Sequence, residues 1–291
     1  MIVVTGATGK LGTHVIHALL KKVPASQIVA AVRNPEKASS LAALGVVLRE
    51  ADYSRPETLT AAFAGAEKVL LISSNQLGTR VAQHQAVIDA ARAANVKLLA
   101  YTSLLRADTS RLSLASEHVA TENYLRASGL PFVLLRNGWY LENHTENLAP
   151  ALQHGAIIGA ARDGKFAAAA REDYAQAAAA VLTSPDHENK IYELAGDTSY
   201  SLSELAAEVS RIAAKPVVYK DLGQPGYEAA LSGFGLPAPI AAMLADSDAQ
   251  AASGELDSNS RDLHNLIGHP TTPLADAIQA ALAAPTAPSH H

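Results

Sequence analysis

The chain has 291 residues, 28 acidic against 23 basic side chains, a net charge of −5 and no cysteine. An acidic balance without a Lys/Arg cluster excludes a nucleic-acid footprint, and the missing thiols exclude disulfides, thiolate nucleophiles and Cys-ligated metals. No apolar run approaches the roughly 18 residues of a membrane span, and the N-terminus lacks a signal peptide's basic stretch, so a soluble cytoplasmic protein is expected.

The first half alternates short apolar runs with amphipathic stretches, which predicts a parallel sheet with crossover helices. Ile2 to Thr5 is a strand, followed by a helix over Lys10–Lys22; Gln27–Arg33 is the second strand. Asn34-Pro35-Glu36 reads as N-cap, first-turn proline and acidic first turn of a helix that Gly45 closes. VVLREAD is a third strand, and Ser54-Arg55-Pro56-Glu57 matches a capping box with Gly65 at the far end. KVLLISS, KLLAYTS and FVLLRNG supply three more strands, with helices near Thr79–Ala94 and Ala115–Ser128 between them. Beyond Asn143 the spacing loosens: helices near Glu146–Gln153 and Asp173–Leu182, a strand-like IYELAG, a helix over Ser201–Ala214, then VVYKDL and a helix-and-loop region. The fold class is α/β: a doubly wound Rossmann-type parallel sheet with a smaller C-terminal α/β lobe. Residues 1–143 form the nucleotide-binding part, to which later chain can return; residues 144–285 form the covering lobe, and 286–291 a tail.

Gly6, Gly9 and Gly12 stand three apart in TGATGKLG, directly after the first strand. Glycine there lets the backbone turn sharply and approach a pyrophosphate, while the following helix offers free N–H groups to the phosphates. The whole loop, Gly6, Ala7, Thr8, Gly9, Lys10, Leu11 and Gly12, is therefore a candidate diphosphate cradle, with Lys10 either a second cation or simply solvated. The end of the second strand selects the nucleotide. An NAD site places an acid there, whereas AAVRNPEK has Arg33 and no acid before Glu36; a guanidinium suits a 2′-phosphate, so NADPH is the expected cofactor. Asp52, at the third strand's end, falls where the adenine edge belongs. Ser73 and Ser74, at the fourth strand's end, fall beside the ribose and diphosphate; all three could equally be caps.

Taken together, TGATGKLG, the Arg-Asn-Pro after the second strand, LLISS, YTSL, ASGLPFVLLRNGWYLEN and LIGHPTT resemble the NmrA-like group of atypical short-chain dehydrogenases/reductases, in particular its NADPH-dependent quinone-reducing members. The resemblance spans nearly the whole chain. It implies an NADPH-binding Rossmann domain, a small C-terminal domain and a quinone groove between them. The wider superfamily carries Tyr-x-x-x-Lys on the helix after the fifth strand; here the corresponding positions fall on Leu114 and His118, so the proton-donating dyad is missing. Ser103 keeps the strand-end position of the superfamily's catalytic serine and is expected at the cofactor. The resemblance also carries over Asn137, Gly138, Tyr140 and Asn143 as cofactor or substrate contacts, with Arg171 a further cofactor candidate. Tyr140, Asn143 and His118 are the catalytic candidates. Trp139 and Tyr140 either sandwich a flat ring or pack the C-terminal lobe onto the sheet.

A ketone needs a proton as hydride arrives, because an isolated alkoxide is a poor product at neutral pH. A quinone needs it less, since the anion formed is delocalised over an aromatic ring. Hydride transfer from NADPH to a quinone or a similar small electron acceptor, without flavin, is the expected activity. A non-catalytic NADP(H)-sensing regulator and a carbonyl or imine reductase are the alternatives. No metal site is expected: there is no HExxH, and DSDAQAASGELD has Ala251 where a calcium loop needs its turn glycine. No nucleic acid or membrane partner is expected, and a homodimer is left open.

Overall fold

The computed structural model describes residues 1–146 and 148–283, so the tail expected at 286–291 lies outside it. In the first half, β1 (Ile2–Thr5), β2 (Ile28–Val32), β3 (Val47–Glu50), β4 (Lys68–Leu71), β5 (Leu98–Leu104) and β6 (Phe132–Asn137) alternate with helices. These are α1 (Lys10–Leu20), α2 (Ser39–Ala42), α3 (Pro56–Ala62), α4 (Arg80–Ala93) and α5 (Ala115–Ala127). The central strands are apolar on both faces, which requires cover on both sides. Ile2 and Val4 of β1 face a layer formed by Leu11, Val15 and Leu19 of α1, whereas Val3 faces Leu59, Val87 and Ile88 of α3 and α4.

The second half contributes α6 (Glu142–Thr145), α7 (Ala149–His154), β7 (Ala156–Gly159), β8 (Lys165–Phe166), α8 (Arg171–Thr183), β9 (Lys190–Leu194), β10 (Tyr200–Ser201), α9 (Leu202–Ala213), β11 (Val218–Asp221), α10 (Gly223–Gly233), α11 (Ala238–Ala251), α12 (Asp262–Ile267) and α13 (Leu274–Ala283). The main sheet has seven strands in the order β3-β2-β1-β4-β5-β6-β9, every neighbour pair parallel. The chain therefore returns to the sheet with β9, and α8 and α12 join α1 on one face. The rest forms a lobe around two-stranded pairs, β7 with β11 and β8 with β10. Its own core includes Phe166, Tyr200, Leu205 and Val209. Strand order reverses between β1 and β4, and this switch point opens a crevice at the strands' carboxyl ends. No helix among the described residues is long and apolar enough to cross a membrane.

Several local expectations need correcting. Asn34 does cap, its Oδ1 accepting from the N–H groups of Glu36 at 3.0 Å and Lys37 at 3.3 Å, but the chain then runs through a 3-10 turn into the four-residue α2 rather than a long helix. The Ser54 capping box does not form: the Ser54 N–H donates to the Asp52 carboxylate at 2.9 Å, and α3 starts at Pro56 behind Arg55. An Asx turn at Asp52 has outcompeted the cap. The helix expected from Glu146 begins at Ala149. The helix expected from Asp173 begins at Arg171, so Asp173 sits inside α8, where it accepts from the Thr272 N–H at 2.9 Å and hydroxyl at 3.1 Å, tying the C-terminal arm to this helix.

One buried charge network fixes the right-hand side of the sheet. Arg136 on β6 donates to Glu122 of α5 at 2.7 and 2.9 Å and to Glu193 of β9 at 2.8 Å, and the Ser103 hydroxyl of β5 donates to Glu122 at 2.6 Å. The side chains of Arg136 and Glu122 are each 3% exposed. Removing one partner strands the other charge in a dry interior. Arg136→Met is therefore expected to cost about 3–5 kcal/mol in urea unfolding, and a loss under 1 kcal/mol would show that the network does not hold the strands.

Candidate active site

The crevice at the switch point is a cavity of about 460 Å³. Its floor is the glycine loop. Gly6 adopts φ +60°, a left-handed conformation that favours glycine, and its carbonyl accepts from the Gly9 N–H at 2.9 Å to close the turn. Gly12 serves contact: a Cβ there would lie 2.3 Å from the Gly6 oxygen and 2.7 Å from the Ala7 Cα. The helix can start this close to the strand only because Gly12 lacks a side chain. Gly9 is the N-cap of α1 and no side chain caps this end, which leaves the first-turn N–H groups for an anion.

Of the residues expected in the cofactor site, the cavity is lined by Gly6, Thr8, Gly9, Lys10, Leu11, Gly12, Arg33, Asp52, Ser73, Ser74, Tyr140 and Arg171. Arg33 is exposed at the end of β2 and, among the described residues, pairs with no carboxylate. The structure does not bring the remaining expected residues to the lining. Ala7 is fully buried in the core under α1. Ser103 is turned away into the Glu122 network, because its parity on β5 points it at α5 while Thr102 points the other way and accepts from the Ser73 N–H at 2.9 Å. His118 is buried, with Nδ1 2.7 Å from the Tyr101 hydroxyl and the two rings stacked at 5.9 Å. Gly138 is hemmed in by protein: a Cβ would meet the Leu194 oxygen and the Tyr174 hydroxyl, each at 3.1 Å.

Asn137 and Asn143 act one step back from the cavity. The Asn137 Nδ2 donates to the Tyr140 hydroxyl at 3.4 Å, and its Oδ1 is buried without a partner. The Asn143 Oδ1 accepts from Arg171 at 3.0 Å. Arg171, the first residue of α8, also donates to Glu146 at 2.8 Å and lies over the Tyr140 ring, 5.0 Å from its centre. Burial raises the Tyr140 phenol above its ordinary range, against the opposing pull of Asn137 and Arg171. The two adjacent aromatics divide: Tyr140 faces the cavity, while Trp139 packs into the C-terminal lobe, its Nε1 donating to His144 at 3.2 Å.

Of the lining residues not singled out in the sequence, Tyr53 and Gln83 brace the wall. Tyr53 bonds Thr5 at 2.5 Å and donates to the Ile72 carbonyl at 2.9 Å, bracing the wall beside Gly6; it directly follows Asp52, which was the available signal. Gln83 on α4 accepts from the Ser74 hydroxyl at 2.5 Å and donates to Ser54 at 3.2 Å and Gln76 at 2.6 Å, clamping the β3–α3 and β4–α4 loops together. No local pattern marks a helix glutamine for that task.

The wall rests on neutral histidines. His84 Nε2 accepts from the Ser74 N–H at 2.9 Å, so its proton is on Nδ1, which faces the Thr121 hydroxyl at 3.0 Å. Burial, helped by Arg80, holds His84 down to about 3; burial also lowers His118 to about 3 and His144 to about 4. A histidine that is neutral when folded and titrates near 6.5 when unfolded makes the unfolded state bind more protons in acid, so stability falls as pH drops below about 6.5. The thermal midpoint should decline from pH 6.5 towards pH 4, less steeply in His84→Asn; identical profiles for the two proteins would contradict the buried neutral assignment.

Comparison with known proteins agrees with this geometry. Residues 6–185 match the NAD(P)H-binding family. The chain is 55% identical to quinone oxidoreductase 2 of Escherichia coli over 96% of this chain and 97% of that protein. It is also 30% identical to an NmrA-like family domain-containing oxidoreductase of Aspergillus flavus, over 96% of this chain and 94% of that protein. The crystal structure of the Escherichia coli NADPH-dependent quinone oxidoreductase complexed with NADPH superposes with a TM-score of 0.94 at 54% identity, covering 97% of this chain and all of that one. The glycine loop, the seven-stranded parallel sheet and the near-complete overlap place the chain in the NmrA-like, NAD(P)H-binding family of oxidoreductases.

Proposed function

We propose that the protein is an NADPH-dependent oxidoreductase that reduces quinones by direct hydride transfer. The observation that carries this reading is the cavity itself, which joins a glycine-rich turn at a helix N-terminus, the exposed Arg33 and Tyr140 in one crevice. The likeness to an NADPH-bound quinone oxidoreductase supports it. The residues present fit the cofactor: Gly6, Thr8, Gly9, Leu11 and Gly12 with Lys10 would hold the diphosphate, and Arg33 the 2′-phosphate. Asp52, Ser73 and Ser74 would hold the adenosine side, leaving Tyr140 and Arg171 for the nicotinamide end. NADPH supplies the hydride when bound.

The protein's own part is to dock donor and acceptor in contact and to keep a proton available. Asn137 donates to the Tyr140 oxygen, which leaves the Tyr140 proton free to point at a quinone oxygen. Burial keeps that phenol protonated at neutral pH, and the Arg171 guanidinium above the ring stabilises the negative charge left on the oxygen when the proton leaves. Hydride and proton together convert quinone to hydroquinone. No Tyr-x-x-x-Lys dyad is needed, because the hydroquinone anion is far less basic than an alkoxide. Zero cysteines among 291 residues support action in the reducing cytoplasm.

Arg33→Ala is expected to weaken NADPH about 10- to 100-fold, the worth of a charge-assisted bidentate contact, while leaving NADH nearly unchanged. Equal losses for both nucleotides, measured as kcat/KM from the absorbance of the reduced cofactor, would remove Arg33 from the 2′-phosphate. For Tyr140→Phe the expected result is an unchanged NADPH dissociation constant with kcat for a small quinone lower by about tenfold, at the low end for a proton donor because the product anion is stable. Full activity in that variant would leave the proton to solvent.

A further inference from the structure

Two cations of the cavity, Lys10 at the glycine loop and Arg171 beside Tyr140, do not stand open. Lys10 begins α1 and Arg171 begins α8, helices that pack side by side, and both side chains line the cavity. A single carboxylate from the C-terminal lobe spans them. Glu146, just after α6, pairs with the Lys10 ammonium through one oxygen and accepts from Arg171 at 2.8 Å through the other. The three differ in freedom: the Lys10 side chain is 66% exposed and Glu146 42%, but Arg171 only 10%. Arg171 is further tied to Asn143 and to the Tyr140 ring, so it is the fixed post, and Lys10 the arm that can swing.

We propose that Glu146 is a resident counterion of Lys10 that the anionic dinucleotide displaces, so that this carboxylate sets how tightly the cleft retains NADPH. The inference rests on the placement of the diphosphate over the glycine loop argued above. A diphosphate arriving there brings like charge against Glu146 and competes for the same ammonium. Lys10 then transfers from carboxylate to phosphate, while Glu146 stays held by Arg171. Every binding event must break one ion pair, and every release regains it, which lowers affinity and favours discharge of the spent cofactor. The arrangement also joins the lobe to the glycine loop when the cleft is empty.

The test is a double-mutant cycle on the intact protein, with NADPH dissociation constants read from the fluorescence of the reduced nicotinamide. Glu146→Gln, which keeps an acceptor for Arg171, should bind NADPH about 1.5- to fivefold more tightly, the range for an exposed ion pair removed from competition. Lys10→Met should bind more weakly. In the Lys10→Met background, Glu146→Gln should change nothing, because the pair it breaks is already gone. Unchanged or weaker binding in Glu146→Gln overturns the proposal. Equal tightening in both backgrounds also overturns it, since Glu146 would then act as a general negative field. If Lys10→Met alone binds NADPH as the parent does, the diphosphate placement itself is wrong, a failure distinct from the first two.

Discussion

The closest approach in the cleft is between α1 and the turn that precedes it. Gly12 lies so near the Gly6 carbonyl that a Cβ would overlap it. Because the helix begins there without a side-chain cap, its free N–H groups face the cavity rather than solvent. The strand reversal between β1 and β4 then keeps that space open. Arg33, Asp52, Ser73 and Ser74 reach the same crevice because parallel strands all end on one side, and their lateral distances follow from the sheet register. The site is thus a consequence of one tight turn placed on a doubly wound sheet.

The other half of the cleft depends on Arg171. It contacts Tyr140, Asn143 and Glu146 at once, and it is itself held by α8, which packs along α1. Through it, the segment after β6 is oriented by the sheet domain rather than by the lobe it leads into. Trp139 goes the other way and packs with His144 and Phe166, so one peptide step separates a cavity wall from a lobe core. That division anchors the lobe and aims Tyr140 with the same backbone.

The positions where related reductases carry a proton-donating dyad have become structural. Leu114 packs against the lobe core, and His118 is buried against Tyr101, with burial holding its imidazole neutral. Ser103 serves the Arg136–Glu122 network instead of a substrate. These residues now hold the frame in which a quinone and NADPH can meet, consistent with an acceptor whose reduced anion needs little help from an acid.

The sheet, its order of β and α units, the glycine loop and the strand-end Arg33 were legible in the sequence because each depends on local periodicity or on spacing of a few residues. The return of the chain as β9 was hinted only by IYELAG, since a strand's address in a sheet is not a local property. Side-chain destinations were the least legible. Ser103 and Thr102 are neighbours of similar chemistry, yet strand parity sends one to Glu122 and the other to the Ser73 backbone at the end of β4. The Ser54 cap was lost to a competing turn at Asp52, and Gln83 gained its role from two loops that meet only when folded. Sequence by itself determined the fold class, the tight glycine turn before α1 and the cation at the end of β2, because each is fixed by residues close together in the chain. Only the tertiary structure decided which polar side chains face the cofactor cleft, because that depends on packing between segments distant in the chain.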